Sequence, residues 1–125
     1  MTMQELQINC KVISSEIDRE VSGGDIQGVQ DKLMKLSQLI ALSAECVTQA
    51  KRNYLYKQSE IIKINKDTIM PASILSKKIE SDAWEESGML TYCERLNAGI
   101  VHSIDALRSI ISLYKTELTN NLISR

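Results

Sequence analysis

The chain has 125 residues, of which 43% are apolar and 25% are charged, and its formal net charge is −1. That length suits one domain and not two, so we expect a single domain over residues 1–125. The chain has one Pro, five Gly and five aromatic residues, none of them Phe. This composition argues against a β-sandwich or barrel, which needs frequent turn residues, and favours an all-α protein.

Sequence features bearing on location and redox state are few. No apolar run approaches the roughly 20 residues that span a bilayer, and no basic residue precedes Lys11 as it would in a signal peptide. We therefore expect a cytoplasmic protein that does not engage a membrane. The three cysteines, Cys10, Cys46 and Cys93, are odd in number and widely spaced. We expect them to be core residues, because this spacing fits neither a disulfide framework nor a CxxC metal site.

The near-zero net charge is a cancellation between three segments of the chain. Residues 1–31 have a net charge of −4, residues 32–78 have +6 and residues 79–125 have −3. These segments can be solvated helix faces of opposite sign. They can also neutralise each other, either within one chain or between the chains of an oligomer.

The first predicted helix covers about residues 3–21. Its apolar residues recur at helical spacing and form a single stripe. They are Leu6, Cys10, Ile13, Ile17 and Val21. Gly23 and Gly24 then end the helix, and Asp25 is a good N-cap for the next one.

The second predicted helix covers about residues 25–66 and carries two interleaved seven-residue repeats. One repeat is Ile26, Leu33, Ile40, Val47, Tyr54 and Ile61, and the other is Val29, Leu36, Ser43, Ala50, Lys57 and Ile64. Two such stripes, alternating three and four residues apart, are typical of a coiled-coil seam. A helix of this length would extend for about 60 Å.

The second half of the chain contains two more predicted helices, over about residues 71–87 and 89–122. Pro71 suits the first turn of the third helix, with Asp67 or Thr68 as its cap. Gly88 either ends that helix or bends it. The last helix repeats the seven-residue pattern, with Leu90, Asn97, Ile104, Ile111 and Leu118 in one series and Cys93, Ile100, Leu107, Tyr114 and Asn121 in the other.

These elements together predict a helical bundle built on a long antiparallel hairpin, completed by the N-terminal helix. A seam of about 60 Å is hard to cover with so short a chain. We therefore expect a homo-oligomer, of which a dimer is the simplest closed form.

The segment from Lys51 to Lys57 is the first candidate binding surface. Arg52 and Lys57 are cations that can contact phosphate, and Tyr54 and Tyr56 are rings that can stack on bases. The alternative is that Tyr54 belongs to the core and that the cations form an exposed face. The overall acidic charge of the chain favours this alternative.

The last helix supplies the other candidate residues. Asn97 lies within the apolar seam, where it can fix the register of the helices or contact a ligand. The polar residues His102, Arg108, Ser112 and Lys115 would suit a small anionic ligand held between chains. The alternative, which the helical spacing favours, is that Asp105 pairs with His102 or Arg108 along the helix surface. A single histidine is too little for a metal site, and no phosphate-binding or metalloprotease motif is present. We expect no enzymatic activity, no metal and no cofactor.

The segment from Glu94 to Lys115 reads ERLNAGIVHSIDALRSIISLYK. Its Arg-Leu-Asn element, followed by Leu-Arg-Ser, Ser and Lys, resembles the C-terminal helix of short, mostly uncharacterised phage and prophage proteins. The resemblance is confined to the C-terminal third of the chain. It implies a small accessory protein of a phage or mobile element, located in the host cytoplasm, that binds something and does not catalyse a reaction.

We therefore expect a non-enzymatic, phage-type binding protein that occupies or sequesters a partner. The partner would be a host defence or replication protein, or a small anionic nucleotide signal. The nucleotide would bind at interfaces between chains, with Arg52, Lys57, Arg108 and Lys115 as candidate contacts. The alternatives are a nucleic-acid-binding accessory factor of phage recombination or replication, which would use the Lys51–Lys57 surface, and a structural assembly component.

Overall fold

The computed structural model describes residues 1–123, which form four helices. The helices are α1 (Met3–Asp18), α2 (Ile26–Ile64), α3 (Ala72–Asp82) and α4 (Trp84–Ile123). The prediction of an all-α helical bundle is confirmed. None of the helices in the described part of the chain combines the length and the apolar character that a membrane span needs.

Side chains define both ends of α1. At its start, the Thr2 hydroxyl accepts the Glu5 N–H at 3.1 Å, and the Glu5 carboxylate accepts the Thr2 N–H at 3.0 Å. This reciprocal capping box satisfies two amide groups that the first helical turn leaves unpaired. At its end, the Lys32 ammonium of α2 donates to the carbonyl oxygens of Ile17 and Arg19, at 2.8 and 2.7 Å. The helix ends at Asp18, where the sequence pattern predicts about residue 21.

The hairpin helices are long because nothing interrupts them. The Asp25 carboxylate caps α2 by accepting the Gly28 N–H at 3.0 Å, as predicted. With 39 residues, α2 extends for about 58 Å, and α4, with 40 residues, for about 60 Å. The cap of α3 differs from the prediction, because Pro71 itself holds the N-cap position, without a side-chain hydrogen bond.

The boundary between α3 and α4 lies at Ala83 and not at Gly88. Ala83 is fully buried. Its backbone leaves the helical conformation while its N–H still bonds to the Ile79 carbonyl. The break at this buried position lets α3 pack against the ends of both α2 and α4, where Ile61 is also buried. Gly88 lies inside α4, at a position where a glycine costs about 1 kcal/mol relative to alanine.

The core lies where α1 packs onto the hairpin. The Ser43 hydroxyl on α2 bonds to the Asn97 side chain on α4 at 3.1 Å, and this pair fixes the register of the two antiparallel helices. One helical turn away along α4, Cys93 contacts Cys10 of α1. The buried residues that share this core are Leu6, Cys10, Ile13, Val29, Leu36, Cys46, Ala50, Cys93, Ile100, Ile104 and Leu107.

The two seven-residue repeats of α2 are not equally buried. Val29, Leu36, Ser43 and Ala50 of one repeat are buried. In the other repeat, Leu33 and Val47 are only partly buried and Ile40 is exposed. The buried face is shifted toward Cys46 because α1 packs on that side of the hairpin.

Helix α1 is much shorter than the two hairpin helices on which it packs. Helix α1 has 16 residues and extends for about 24 Å, so it covers less than half of the hairpin. Counting from the Ser43–Asn97 pair, the first residue of α2, Ile26, lies opposite residue 114 of α4. The last nine residues of α4 therefore extend about 13 Å beyond the start of α2.

Candidate functional site

The Lys51–Lys57 surface of α2 divides into an exposed and a half-buried part. Lys51, Arg52 and Tyr56 are exposed, while Tyr54 and Lys57 are half-buried. Arg52 and Tyr56 are four residues apart and therefore project from one face of the helix. The structure thus leaves one aromatic ring and two cations available to a ligand on this surface.

Asn97 points into the bundle. Its side-chain oxygen accepts the Ser43 hydroxyl, and Ser43 is only 1% exposed. Asn97 is half-buried, and no fully buried side-chain nitrogen or oxygen within residues 1–123 lacks a hydrogen-bond partner. This polar pair joins α2 to α4 at one defined register. Of the two roles that the sequence analysis gave for Asn97, the geometry fits the register role and not the ligand contact.

The remaining candidates lie along the outer surface of α4. His102, Arg108, Ser112 and Lys115 are all exposed. They lie toward the end of the bundle where α1 ends and α2 begins. The Lys51–Lys57 surface lies toward the opposite end, where α2 meets α3.

One chain does not bring the two groups of cations together. By the Ser43–Asn97 register, Arg52 lies opposite residue 88 of α4, which is 20 residues from Arg108. At 1.5 Å per residue this separation is about 30 Å, and that between Lys57 and Lys115 is about 48 Å. A nucleotide that contacts all four cations would have to lie between chains, so that hypothesis stays a prediction.

A groove between α1 and α4 was not predicted from the sequence. It has a volume of about 360 Å³ and lies where the start of α1 meets the start of α4. Its lining residues are Met3, Gln7, Trp84, Glu85, Gly88, Met89 and Tyr92. We call it the Trp84 groove.

The lining of the Trp84 groove combines aromatic, thioether and acidic groups. Trp84 is 67% exposed and Tyr92 is 42% exposed, so neither ring is a core residue. Met3 and Met89 supply flexible apolar surface, and Glu85 is the one charged side chain in the lining. Gly88 adds no side chain, and a methyl group there would meet nothing within 4 Å.

Sequence periodicity could have indicated this groove. The seven-residue repeats of α4 leave Trp84 and Tyr92 outside the seam, and a large aromatic ring off a seam is a signal of an open surface. The position of the start of α1 beside these residues is not visible in the repeats.

The three cysteines are buried, as predicted, and they lie close together. The Cys10 and Cys93 sulfur atoms are 3.5 Å apart, and Cys46 is a hydrogen-bonding neighbour of Cys10. Burial raises the pKa of Cys10 to about 12 and that of Cys46 to about 11, and it also raises the pKa of Cys93. Protonated buried thiols are poor nucleophiles.

No group of three or more His, Cys, Asp or Glu side chains within residues 1–123 is arranged to hold a metal ion.

The chain matches no protein-family model, no curated protein and no solved structure. The resemblance of residues 94–115 to phage and prophage proteins therefore stays a prediction.

Proposed function

We propose that the chain is a non-enzymatic binding protein that occupies a segment of a partner protein in the Trp84 groove. The observation that carries this proposal is the exposure of Trp84 and Tyr92 within one groove. Tyr and Trp dominate the energetics of protein interfaces, because a rigid ring buries a large area at a low entropic cost. The phage resemblance supports the same class of activity, with a host protein as the partner.

The chemistry of the groove favours a protein segment over an anionic nucleotide. Glu85 repels phosphate and attracts a lysine or arginine side chain, and the faces of Trp84 and Tyr92 attract the same cations. Met3 and Met89 offer apolar contact to an aliphatic side chain. The expected occupant is therefore a short segment that combines an apolar side chain with a basic one.

The proposal is tested by selecting 12-residue peptides from a displayed random library against the intact protein. We expect the selected peptides to pair Leu, Ile or Met with Lys or Arg, and to shift the fluorescence of Trp84, the only tryptophan in the chain. Glu85→Lys should weaken binding of these peptides at least tenfold, because it places a like charge opposite the basic residue.

Tyr114→Ala is the matched control, because it removes a 40% exposed ring from α4 far along the helix from the groove. This variant should bind the peptides as the parent protein does. Selected peptides that leave Trp84 fluorescence unchanged, or a nucleoside triphosphate that shifts it at micromolar concentration, would overturn the proposal.

A second candidate function rests on the exposure of Lys51, Arg52 and Tyr56. We propose nucleic-acid binding by this surface as the alternative, since cations and a stacking ring are what single strands require. Titration with labelled single-stranded DNA and RNA at 50 and 200 mM salt tests it. Genuine binding weakens steeply with salt and is lost in Arg52→Glu, whereas salt-independent binding would exclude this mechanism.

A further inference from the structure

The Trp84 groove contains an open position between its two aromatic residues. Trp84, Gly88 and Tyr92 are spaced four residues apart, so they follow one another along one side of α4 at intervals of about 6 Å. A methyl group on Gly88 would meet no atom within 4 Å. The middle of this row is therefore open, with a ring-bearing residue on either side. We call this space the Gly88 notch.

The residues around the Gly88 notch supply three kinds of contact. Glu85, the one charged residue of the lining, is exposed and lies three residues before Gly88. Helical residues three apart are neighbours on the helix surface, so the Glu85 carboxylate can reach a group above Gly88. Met89 on the same helix and Met3 on α1 add thioether surface. A group in the notch thus meets aromatic rings, a carboxylate and apolar surface.

The charge around the groove is negative even when its neighbours in the chain are counted. The two segments that contain the lining, residues 1–10 and 79–94, hold six carboxylates and no lysine or arginine. With the α-amino group of Met1 included, their net charge is −5. Three basic residues adjoin these segments and reduce the net charge only to −2; they are Lys11, Lys78 and Arg95. The groove therefore attracts cations.

Arg52 of α2 is level with Gly88 in the register of the hairpin, but it does not face the groove. It lies nine residues, or about two and a half helical turns, beyond Ser43, which bonds to α4. Its side chain therefore projects from the side of α2 opposite to α4. Helix α2 contributes no residue to the lining, and none of the lining residues is a lysine or an arginine.

We infer that the Gly88 notch is an arginine-recognition site, which receives a guanidinium group of the bound segment. This inference rests on the proposed function of the Trp84 groove and names the basic side chain that the groove selects. A guanidinium group is planar and weakly hydrated, so it can stack on Trp84 or Tyr92 while its N–H groups donate to the Glu85 carboxylate. Gly88 determines this specificity, because a side chain there would occupy the space that the guanidinium needs.

The same lining suits a lysine less well. An ammonium group has three donors and a tightly held hydration shell, and the lining offers it one carboxylate and the Gln7 amide. Water that it loses against Met3 and Met89 is not replaced by other acceptors. A trimethylated lysine keeps its attraction to the rings but cannot donate to Glu85. Citrulline has nearly the shape of arginine but no charge.

The first experiment uses single amino-acid derivatives, so it does not depend on any partner protein. The Nα-acetyl amides of arginine, lysine, trimethyl-lysine and citrulline are titrated into the isotope-labelled protein at low salt. Shifts of the Trp84 indole and Gly88 amide signals in NMR spectra give the affinities. We expect the arginine derivative to bind at least about fivefold more tightly than each of the others. Equal affinity for any of the other three would overturn the inference.

Gly88→Leu separates the notch from the stability of the fold. It should reduce affinity for the arginine derivative at least about tenfold without lowering Tm, because leucine is a better helix former than glycine and its first carbon meets open space. A loss of binding in an equally stable protein cannot arise from unfolding. Ala98→Leu, at an exposed position ten residues further along α4, is the matched control and should bind as the parent does. Binding by Gly88→Leu that equals the parent's would refute the role of the notch.

Glu85→Gln removes the carboxylate charge and keeps the shape of the side chain. It should reduce affinity for the arginine derivative at least about threefold, because the charge-assisted hydrogen bonds are lost. Glu86→Gln is the matched control, since Glu86 is the adjacent carboxylate but lies outside the lining. Equal effects of the two substitutions would show that Glu85 does not contact the guanidinium.

Peptides from the displayed library distinguish this inference from the proposed function. Replacing arginine by lysine in a selected peptide should weaken its binding at least about fivefold. Peptides that bind in the groove equally well with either residue would overturn the arginine specificity alone. If the arginine derivative binds at the notch and no peptide binds the protein, the proposed function fails and the arginine site stands.

Discussion

The sulfur atoms of Cys10 and Cys93 lie 3.5 Å apart, although 83 residues separate the two positions in the chain. One belongs to α1 and the other to α4, so their contact records how the first helix is placed on the hairpin. With Cys46 of α2 as a neighbour, each helix of the core contributes one thiol to this region. The raised thiol pKa values turn this layer into a source of pH-dependent stability.

The cysteine layer predicts a loss of stability at alkaline pH. The pKa of Cys10 is raised from 9.0 to about 12, so between these values the unfolded chain releases the thiol proton while the folded chain keeps it. Below a pH of about 8 the thiol is protonated in both states, so it does not make the free energy of unfolding depend on pH. The free energy of unfolding then falls as pH rises from 9 toward 12. Urea unfolding at pH 8, 9 and 10 should show the decline, and Cys10→Ala should make it shallower. An unchanged slope in that variant would contradict the assignment.

The Ser43–Asn97 pair predicts strong coupling between two polar residues in an apolar seam. Asn97→Ala leaves the buried Ser43 hydroxyl without its partner, which costs about 1–3 kcal/mol. Ser43→Ala should cost about 1 kcal/mol, and the double variant should cost less than the sum of the two. Chemical denaturation of all four proteins measures this cycle. Additive effects would show that the hydrogen bond does not hold the two helices in register.

The Lys32 ammonium predicts a local effect at the end of α1. Lys32→Met retains the apolar stem and removes both hydrogen bonds to the Ile17 and Arg19 carbonyls. Hydrogen bonds to charged groups contribute about 1.5–3 kcal/mol, and we expect a loss of that size in the free energy of unfolding. Lys35→Met, at an exposed position on the same helix, is the control and should change stability by less than 0.5 kcal/mol. Equal losses in the two variants would exclude the capping role.

Two glycines in the long helices predict opposite outcomes for the same substitution. Gly88→Ala places its methyl group in open space within α4, so helix propensity should raise stability by about 1 kcal/mol. Gly28→Ala brings its methyl group against the Asp25 carboxylate that caps α2, and close to Val21. The cap must shift, and we expect no gain or a net loss. Thermal unfolding compares the two variants, and a similar rise in Tm for both would contradict the crowding at Gly28.

The long helices were predictable because their determinants are local. The repeats of α2 and α4, together with the Asp25 cap, place these two helices within about five residues of their observed ends. The break at Ala83 was not predictable, because alanine is a strong helix former and only its burial beneath α3 distinguishes the position. The end of α1 depends on Lys32, a contact between residues 13 and 15 apart in the chain that periodicity does not contain.

In the candidate sites, too, features set by local sequence were predictable and features set by contacts between distant residues were not. The sequence identified the cations and rings of the Lys51–Lys57 surface, because residue type alone is the signal there. It did not identify the Trp84 groove, because the groove forms between the starts of α1 and α4, which are far apart in the chain. Asn97 was recognisable as an exception within the seam, and its partner Ser43 was recognisable only as a second polar residue in the facing seam.

Because α1 is short, different parts of the bundle are expected to differ in how readily they unfold locally. Backbone amides in the middle of α2 and α4 are protected on two sides, by each other and by α1, whereas amides near the helix ends are protected only by the opposing helix or by none. Hydrogen exchange should therefore be slowest around residues 36–50 and 93–104. It should become progressively faster toward the end of α2 beside α3, and toward the end of α4. The bundle would thus have a rigid centre and two ends that open independently of each other.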